Sequence, residues 1–270
     1  MSLKIQLAIT TIVYNDVAHI KETMDSVINQ SYKNIEYILV DGRSSDGTKE
    51  EIYNYISSCA TITQEDIEKD RFYLEATHKL YPTLTFKFLS EKDKGIYDAM
   101  NKGIALATKE WINFMNCGDR FYNLDVLQKV ANEKLEECSV IYGDTEIIDK
   151  THSYIQHSSI AFSSRIPFCH QSSFVRTSLL STLLFDTSYK ICADNDLFMK
   201  LYKSRHKFKK LNFPISSYSL EGISALPSWR MFVEECRIGY KYNKLFPLYL
   251  ALKWSLWAVP KSKIKKLFKR

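Results

Sequence analysis

Several signatures of common enzyme classes are missing from this 270-residue chain. No GxGxxG follows the first apolar run and no GxxxxGK[ST] occurs, which argues against a Rossmann dehydrogenase and a P-loop enzyme. The six histidines form neither HxxxH nor HExxH, and His152 and His157, read as lying on one strand, would face opposite ways. The six cysteines, Cys59, Cys117, Cys138, Cys169, Cys192 and Cys236, include no CxxC pair, so a thiol-and-imidazole metal cluster is not expected. The N-terminus lacks the charged and apolar regions of a signal peptide. With scattered cysteines, this predicts reduced thiols and a cytoplasmic location. Internal repeats and low-complexity linkers are also absent. The net charge of +6 owes much to residues 261–270, which hold six basic residues and no acid, so a broad nucleic-acid-binding face is not indicated.

What is present is the composition of an ordinary globular protein, 45% hydrophobic and 25% charged, long enough to bury a sizeable core. Leu3 to Val13 is a near-continuous apolar run suited to a parallel strand buried on both faces. A helix from about Val17 to Asn29 follows, with Ile20, Met24, Val27 and Ile28 on one side. The second strand, Ile35–Val40, ends in Asp41-Gly42-Arg43-Ser44-Ser45-Asp46-Gly47-Thr48. Asp46 or Thr48 is suited to cap the helix after it. Residues 59–83 read as a polar, irregular insertion. A third strand, Thr85–Leu89, ends near Glu91 and Asp93. A helix then runs from Ile96 to Thr108, and a fourth strand, Trp111–Met115, ends in Asn116-Cys117-Gly118-Asp119. Right-handed crossovers place all four strand ends on one sheet edge, so Tyr14, Asn15, Asp41, Asp93 and Asp119 converge there.

The second half alters in character. A helix near Leu124 to Glu137 is expected, then a strand and hairpin from Val140. A loop carrying His170 and Gln171 follows, and then a helix opening near Asp194. Asp194 and Asp196 project about 200° apart on such a helix, so only one can face a site. From Trp229 another helix runs past Tyr240. Residues 245–259 are too short and too interrupted, by Pro247 and Lys253, to span a bilayer. Two tryptophans and a basic end suit them instead to an anionic membrane surface.

Five blocks in this order, Thr10–Asn15, Val40–Thr48, Asp93–Gly103, Asn116–Asp119 and Ala193–Asp196, make residues 5–205 resemble the inverting glycosyltransferases of family 2. The resemblance implies an α/β GT-A fold. Residues 1–122 would form a nucleotide-sugar-binding half and 123–225 an acceptor-binding half, with 226–270 a basic, amphipathic, membrane-associating tail. It implies that Thr11, Tyr14, Asn15 and Asp41 hold the base and ribose, and that Asp93, Lys94 and Asn116 line the rest of the nucleotide site. Asp119 would hold Mn²⁺ or Mg²⁺ against the diphosphate. Asp194 would be the general base for an acceptor hydroxyl, with Asp144, His170 and Gln171 on the acceptor side. Asn116, Gly118, Gly42 and Met100 depart from residues frequent in the family, and the first two leave Asp119 alone to carry charge in its motif. The implied function is transfer from a nucleotide sugar, a UDP-sugar foremost, to a glycan, lipid-diphosphate-linked, at the inner membrane face. Such chemistry belongs to bacterial surface polysaccharide synthesis (O antigen or capsule). The competing reading is a non-catalytic GT-A partner of a transferase complex.

Overall fold

The computed structural model describes residues 5–149, 152–161, 166–219, 228–253 and 255. Its first half alternates strands and helices: β1 (Leu7–Val13), α1 (Val17–Ile28), β2 (Ile35–Asp41), α2 (Thr48–Cys59), β3 (Ala60–Ile67), β4 (Arg71–His78), β5 (Leu84–Glu91), α3 (Ile96–Leu106) and β6 (Trp111–Phe114). Then follow β7 (Arg120–Phe121), α4 (Val126–Ala131), β8 (Val140–Ile148), β9 (Ser153–Gln156), β10 (Ser173–Arg176), α5 (Thr177–Leu183), α6 (Ala193–Lys203), β11 (Phe208–Ser219), α7 (Trp229–Tyr242) and α8 (Phe246–Lys253).

One sheet holds all the strands, in the order β3-β4-β5-β2-β1-β6-β10-β8-β11-β7, with β9 paired to β8. Its centre, β5-β2-β1-β6, is parallel, so the carboxyl ends of these four strands share an edge as the sequence predicts. Every residue of β1 and β2 is buried. That follows from helices on both faces: Leu7, Ile9 and Val13 pack toward α1 and α2, while Ala8 and Ile12 pack toward α3 and α6. The stripe on α1 is the predicted one. Ile20, Met24, Val27 and Ile28 are buried, each contributing about 1.5–3 kcal/mol.

Four local expectations are corrected. Residues 59–83 are not irregular: β3 and β4 form a hairpin that extends the sheet. Phe72, Leu74, Ala76 and His78 of β4 are buried at period two. Edge strand β3 instead carries Gln64, Glu65 and Asp66, charge and amide that blunt an open edge and hide the strand signal. The helix expected to Glu137 stops at Ala131, and Arg176 holds the segment that follows by donating to the carbonyls of Leu135 and Cys138. His152 and His157 flank β9 rather than lying on it. Gly47, at φ +100°, takes the cap position of α2, and Asp46 works from one residue earlier, accepting from the Thr48 amide at 3.1 Å.

The expected tail does not begin as a detached element. Ile238 of α7 is fully buried in the cluster that holds Leu197, Phe198 and Leu201 of α6. Gly239 abuts Phe246 of α8 so closely that no side chain would fit there. Trp254, Trp257 and the basic residues 261–270 lie outside the described residues.

Candidate active site

The strand ends form three tied loops. Asn15, in a left-handed conformation at φ 48°, donates its amide to Ser44 Oγ and accepts from the Ser45 amide. This fastens the end of β1 to the end of β2. Asp41 is fully buried, and its carboxylate accepts from the Ser44 amide, the Ser44 hydroxyl and, at 2.6 Å, the Ser90 hydroxyl. Asp93 caps the next loop by accepting from the Gly95 amide at 2.8 Å. Tyr14 and Asp93 meet over Gly42, where a Cβ would stand 2.5 Å from Asp93 Oδ2 and 3.1 Å from the Tyr14 ring. A side chain at position 42 would therefore need the Asp93 carboxylate to swing aside. Tyr14 and Lys94 are exposed.

The turn after β6 depends on Gly118 at φ +90°, a conformation that L side chains rarely adopt. It swings Asp119 inward to 7% exposure. Burial pushes the Asp119 carboxyl up from 3.8 to about 6, against the opposing pull of a 2.9 Å hydrogen bond from Gln171 and the nearby His170. His170 and Gln171 lie on a single 3-10 turn, His170–Ser172. Asn113, buried in β6, anchors that turn by donating to the carbonyls of Gln171 and Ser173 at 2.8 Å each.

From the same turn His170 reaches the other carboxylate. Its Nδ1 lies 3.4 Å from Asp194 Oδ2, and its Nε2 lies 3.1 Å from the Asn116 amide nitrogen. The His170 ring thus bridges Asn116 and Asp194. The Tyr97 hydroxyl, on the first turn of α3, donates to the Ile191 carbonyl at 2.6 Å and stands 3.3 Å from Asp194 Oδ1. Asp194 thus meets the site from the second residue of α6. Asp196 points the other way, fully buried between Lys200 and Lys241 at 2.7 and 2.6 Å.

Asn116, Asp119, His170, Gln171 and Asp194 form one connected cluster, and Tyr14, Asn15, Asp41, Asp93 and Lys94 form the neighbouring loops. Two predicted residues are buried against internal partners. Thr11 is fully buried, its hydroxyl donating to the Met115 carbonyl and meeting Tyr37. Asp144 is also buried, its carboxylate accepting from the Ser158 amide and pairing with His157 at 2.7 Å, which holds the β8–β9 hairpin. Tyr97 joins the cluster from within the Asp93–Gly103 block, where nothing in its residue type marks it as a site residue.

A sequence model described as "Glycosyl transferase family 2" matches residues 8–203, which include every residue of this cluster. The chain belongs to glycosyl transferase family 2. A PGL/p-HBAD biosynthesis glycosyltransferase of Mycobacterium bovis is 26% identical over 198 residues, spanning 70% of this chain and 67% of the relative. An uncharacterized glycosyltransferase of Mycobacterium tuberculosis is 27% identical over 203 residues, spanning 72% and 68%. Among solved structures, S. aureus TarS 1-349 in complex with UDP-GlcNAc superposes with a TM-score of 0.64 at 16% identity, covering 94% of this chain and 76% of that one. The mannosyltransferase PcManGT from Pyrobaculum calidifontis, in complex with GDP-Man and Mn²⁺, gives 0.62 at 16%, covering 97% and 74%. Against another TarS structure the chain spans only 39% of the length. These likenesses establish the GT-A fold.

Family 2 membership makes the metal question specific. Among the described residues no cluster of three or more His, Cys, Asp or Glu side chains is arranged to hold a metal ion. Asp119 stands as a lone hard-oxygen ligand, yet in the same turn the side-chain oxygen of Asn116, Oδ1, is buried and has no hydrogen-bond partner. One carboxylate and an unsatisfied amide oxygen fit a divalent cation whose other ligands are diphosphate oxygens and water, and do not fit a cation held by protein alone. No helix of the described residues is long and apolar enough to cross a membrane.

Proposed function

We propose that this family 2 glycosyltransferase moves a sugar, with inversion, from a nucleoside-diphosphate donor to a hydroxyl of a glycan acceptor. The observation that carries the reading is the His170–Ser172 turn, which holds Asp119 through Gln171 and meets Asp194 through His170. One rigid turn thereby sets the spacing between the diphosphate-side and acceptor-side carboxylates.

Asp194 is the general base. Its carboxylate takes the proton from the acceptor hydroxyl as that oxygen bonds to the anomeric carbon, and the nucleoside diphosphate departs from the opposite face with the bonding pair. His170, with Nδ1 3.4 Å from Asp194 Oδ2, keeps Asp194 aimed. A Mn²⁺ or Mg²⁺ ion held by Asp119 and Asn116 Oδ1 would neutralise charge on the departing diphosphate. Tyr14, Asn15, Asp41 and Asp93 form the nucleotide end, with Lys94 beside the phosphates.

UDP is the first choice of nucleotide, supported by the UDP-GlcNAc complex of TarS. GDP is the competitor named by the PcManGT complex. A lipid-linked acceptor, in bacterial surface polysaccharide synthesis, is supported by α8. Leu245, Leu248, Tyr249 and Leu252 are all more than half exposed there, and Lys244 and Lys253 flank them. Such a stripe suits peripheral attachment to an anionic inner membrane face.

The test is donor binding and turnover with UDP-, GDP- and dTDP-sugars, with Mn²⁺ and with EDTA, for the wild type and Asp119→Ala. Metal-dependent binding of one nucleotide class, lost in the variant, is expected. Binding without turnover of any donor would favour a non-catalytic partner, and no binding at all would end the transferase reading.

A further inference from the structure

α7 lies beyond the segment matched by the family model, yet it is bound into the machinery that presents Asp194. Glu234, 8% exposed, projects from α7 onto the turn just before α6. Its Oε1 accepts from the Lys190 amide at 2.8 Å, and its Oε2 accepts from the Ile191 and Cys192 amides at 2.9 and 3.0 Å. Three consecutive backbone donors thus end on one carboxylate. The last of them, Cys192, is the cap of α6, two residues before Asp194.

The same turn is held from the other side. The Ile191 carbonyl accepts from the Tyr97 hydroxyl, which also stands beside Asp194 Oδ1. Farther along α7, Ile238 packs into the core with α6, and Lys241 pairs with Asp196. Without Glu234 those three amides, at the positive end of the α6 dipole, would need water in a half-buried turn. The turn would then lose its single conformation.

We infer that Glu234 is a positioning residue for Asp194, gripping the Lys190–Cys192 turn so that the base faces His170 and the acceptor. The inference rests on the proposed role of Asp194 as base. It makes α7 part of the transferase active site and not the start of a detachable tail.

Glu234→Gln replaces one acceptor oxygen with an amide nitrogen that confronts backbone N–H groups. Ile238→Val serves as the control, trimming one methyl from the buried face of the same helix while leaving it docked. In the full-length protein, hydrogen exchange at residues 190–194 is expected to quicken about 10-fold or more in Glu234→Gln and to stay within about twofold of wild type in Ile238→Val. Donor binding should remain within about twofold of wild type while kcat for transfer falls about 10- to 100-fold, a split that a misplaced base produces. Exchange equal to wild type in Glu234→Gln would overturn the inference. So would an equal kcat loss in Ile238→Val. If the wild type turns over no donor, the transferase reading fails on that result, and the exchange comparison alone still decides whether Glu234 grips the turn.

Discussion

Asp119→Asn removes a charge from a buried site while keeping the side chain's shape and an oxygen that can accept from Gln171. The folded carboxyl has its pKa raised from 3.8 to about 6, so it binds its proton more tightly than the unfolded chain does. Between those values the native state holds more protons, and stability falls as pH rises through the window. At 1.36 kcal/mol per unit, the buried charge costs about 1.5 kcal/mol at pH 5 and about 3 kcal/mol at pH 8. The asparagine variant carries no such charge. Its stability advantage should therefore widen by about 1–1.5 kcal/mol between pH 5 and pH 8, or a few degrees in Tm. Urea unfolding of both proteins across that range, in EDTA, measures it directly. Mn²⁺ with a nucleoside diphosphate should raise the wild-type Tm and leave the variant nearly unmoved, because the cation replaces the missing positive charge. An advantage that is absent, or the same at both pH values, would show that water or a counter-charge already compensates Asp119, and the desolvation argument would be refuted.

Asp194→Asn should keep the fold and donor binding while lowering kcat by about 10²- to 10⁴-fold, read by a product-release assay with and without acceptor. Gly103→Ala would set a Cβ 2.5 Å from Thr10 Cγ2, where α3 crosses β1. A loss of about 1–3 kcal/mol in urea unfolding is expected, and a neutral result would mean that α3 can shift. Leu248→Glu on α8 should weaken co-sedimentation with phosphatidylglycerol vesicles several-fold without altering turnover of a soluble acceptor. Equal sedimentation would remove α8 from the attachment surface.

The pattern of legibility follows the range of the interactions. The four parallel strands, α1 and the convergence of Asp41, Asp93 and Asp119 are written in short segments: apolar runs, a helical stripe and Gly-containing turns at strand ends. Chain topology does the rest, because right-handed crossovers leave only one edge for those ends. The β3–β4 hairpin was hidden for an equally local reason: its outer strand is an edge, where selection for solubility erases alternation. Thr11 and Asp144 show another limit. Residue type and spacing identify a position near a site but do not tell whether the side chain points into it or beneath it, and both hydroxyl and carboxylate found internal partners.

Glu234 marks the far end of this range. It lies 40 residues past Asp194 in sequence, on a helix whose pattern announces only an ordinary amphipathic surface. Nothing in a Glu on such a helix signals that it will end three backbone donors on another element. The grip arises only when α7 packs beside α6, with Ile238 in the core between them, bringing a carboxylate to the three amides of the turn that precedes α6. The two effects are coupled: apolar burial supplies the energy that docks α7, and the polar contact converts that docking into orientation of Asp194. A sequence change that keeps α7 apolar on one face but moves Glu234 by one position should therefore leave a stable protein with an ill-aimed base.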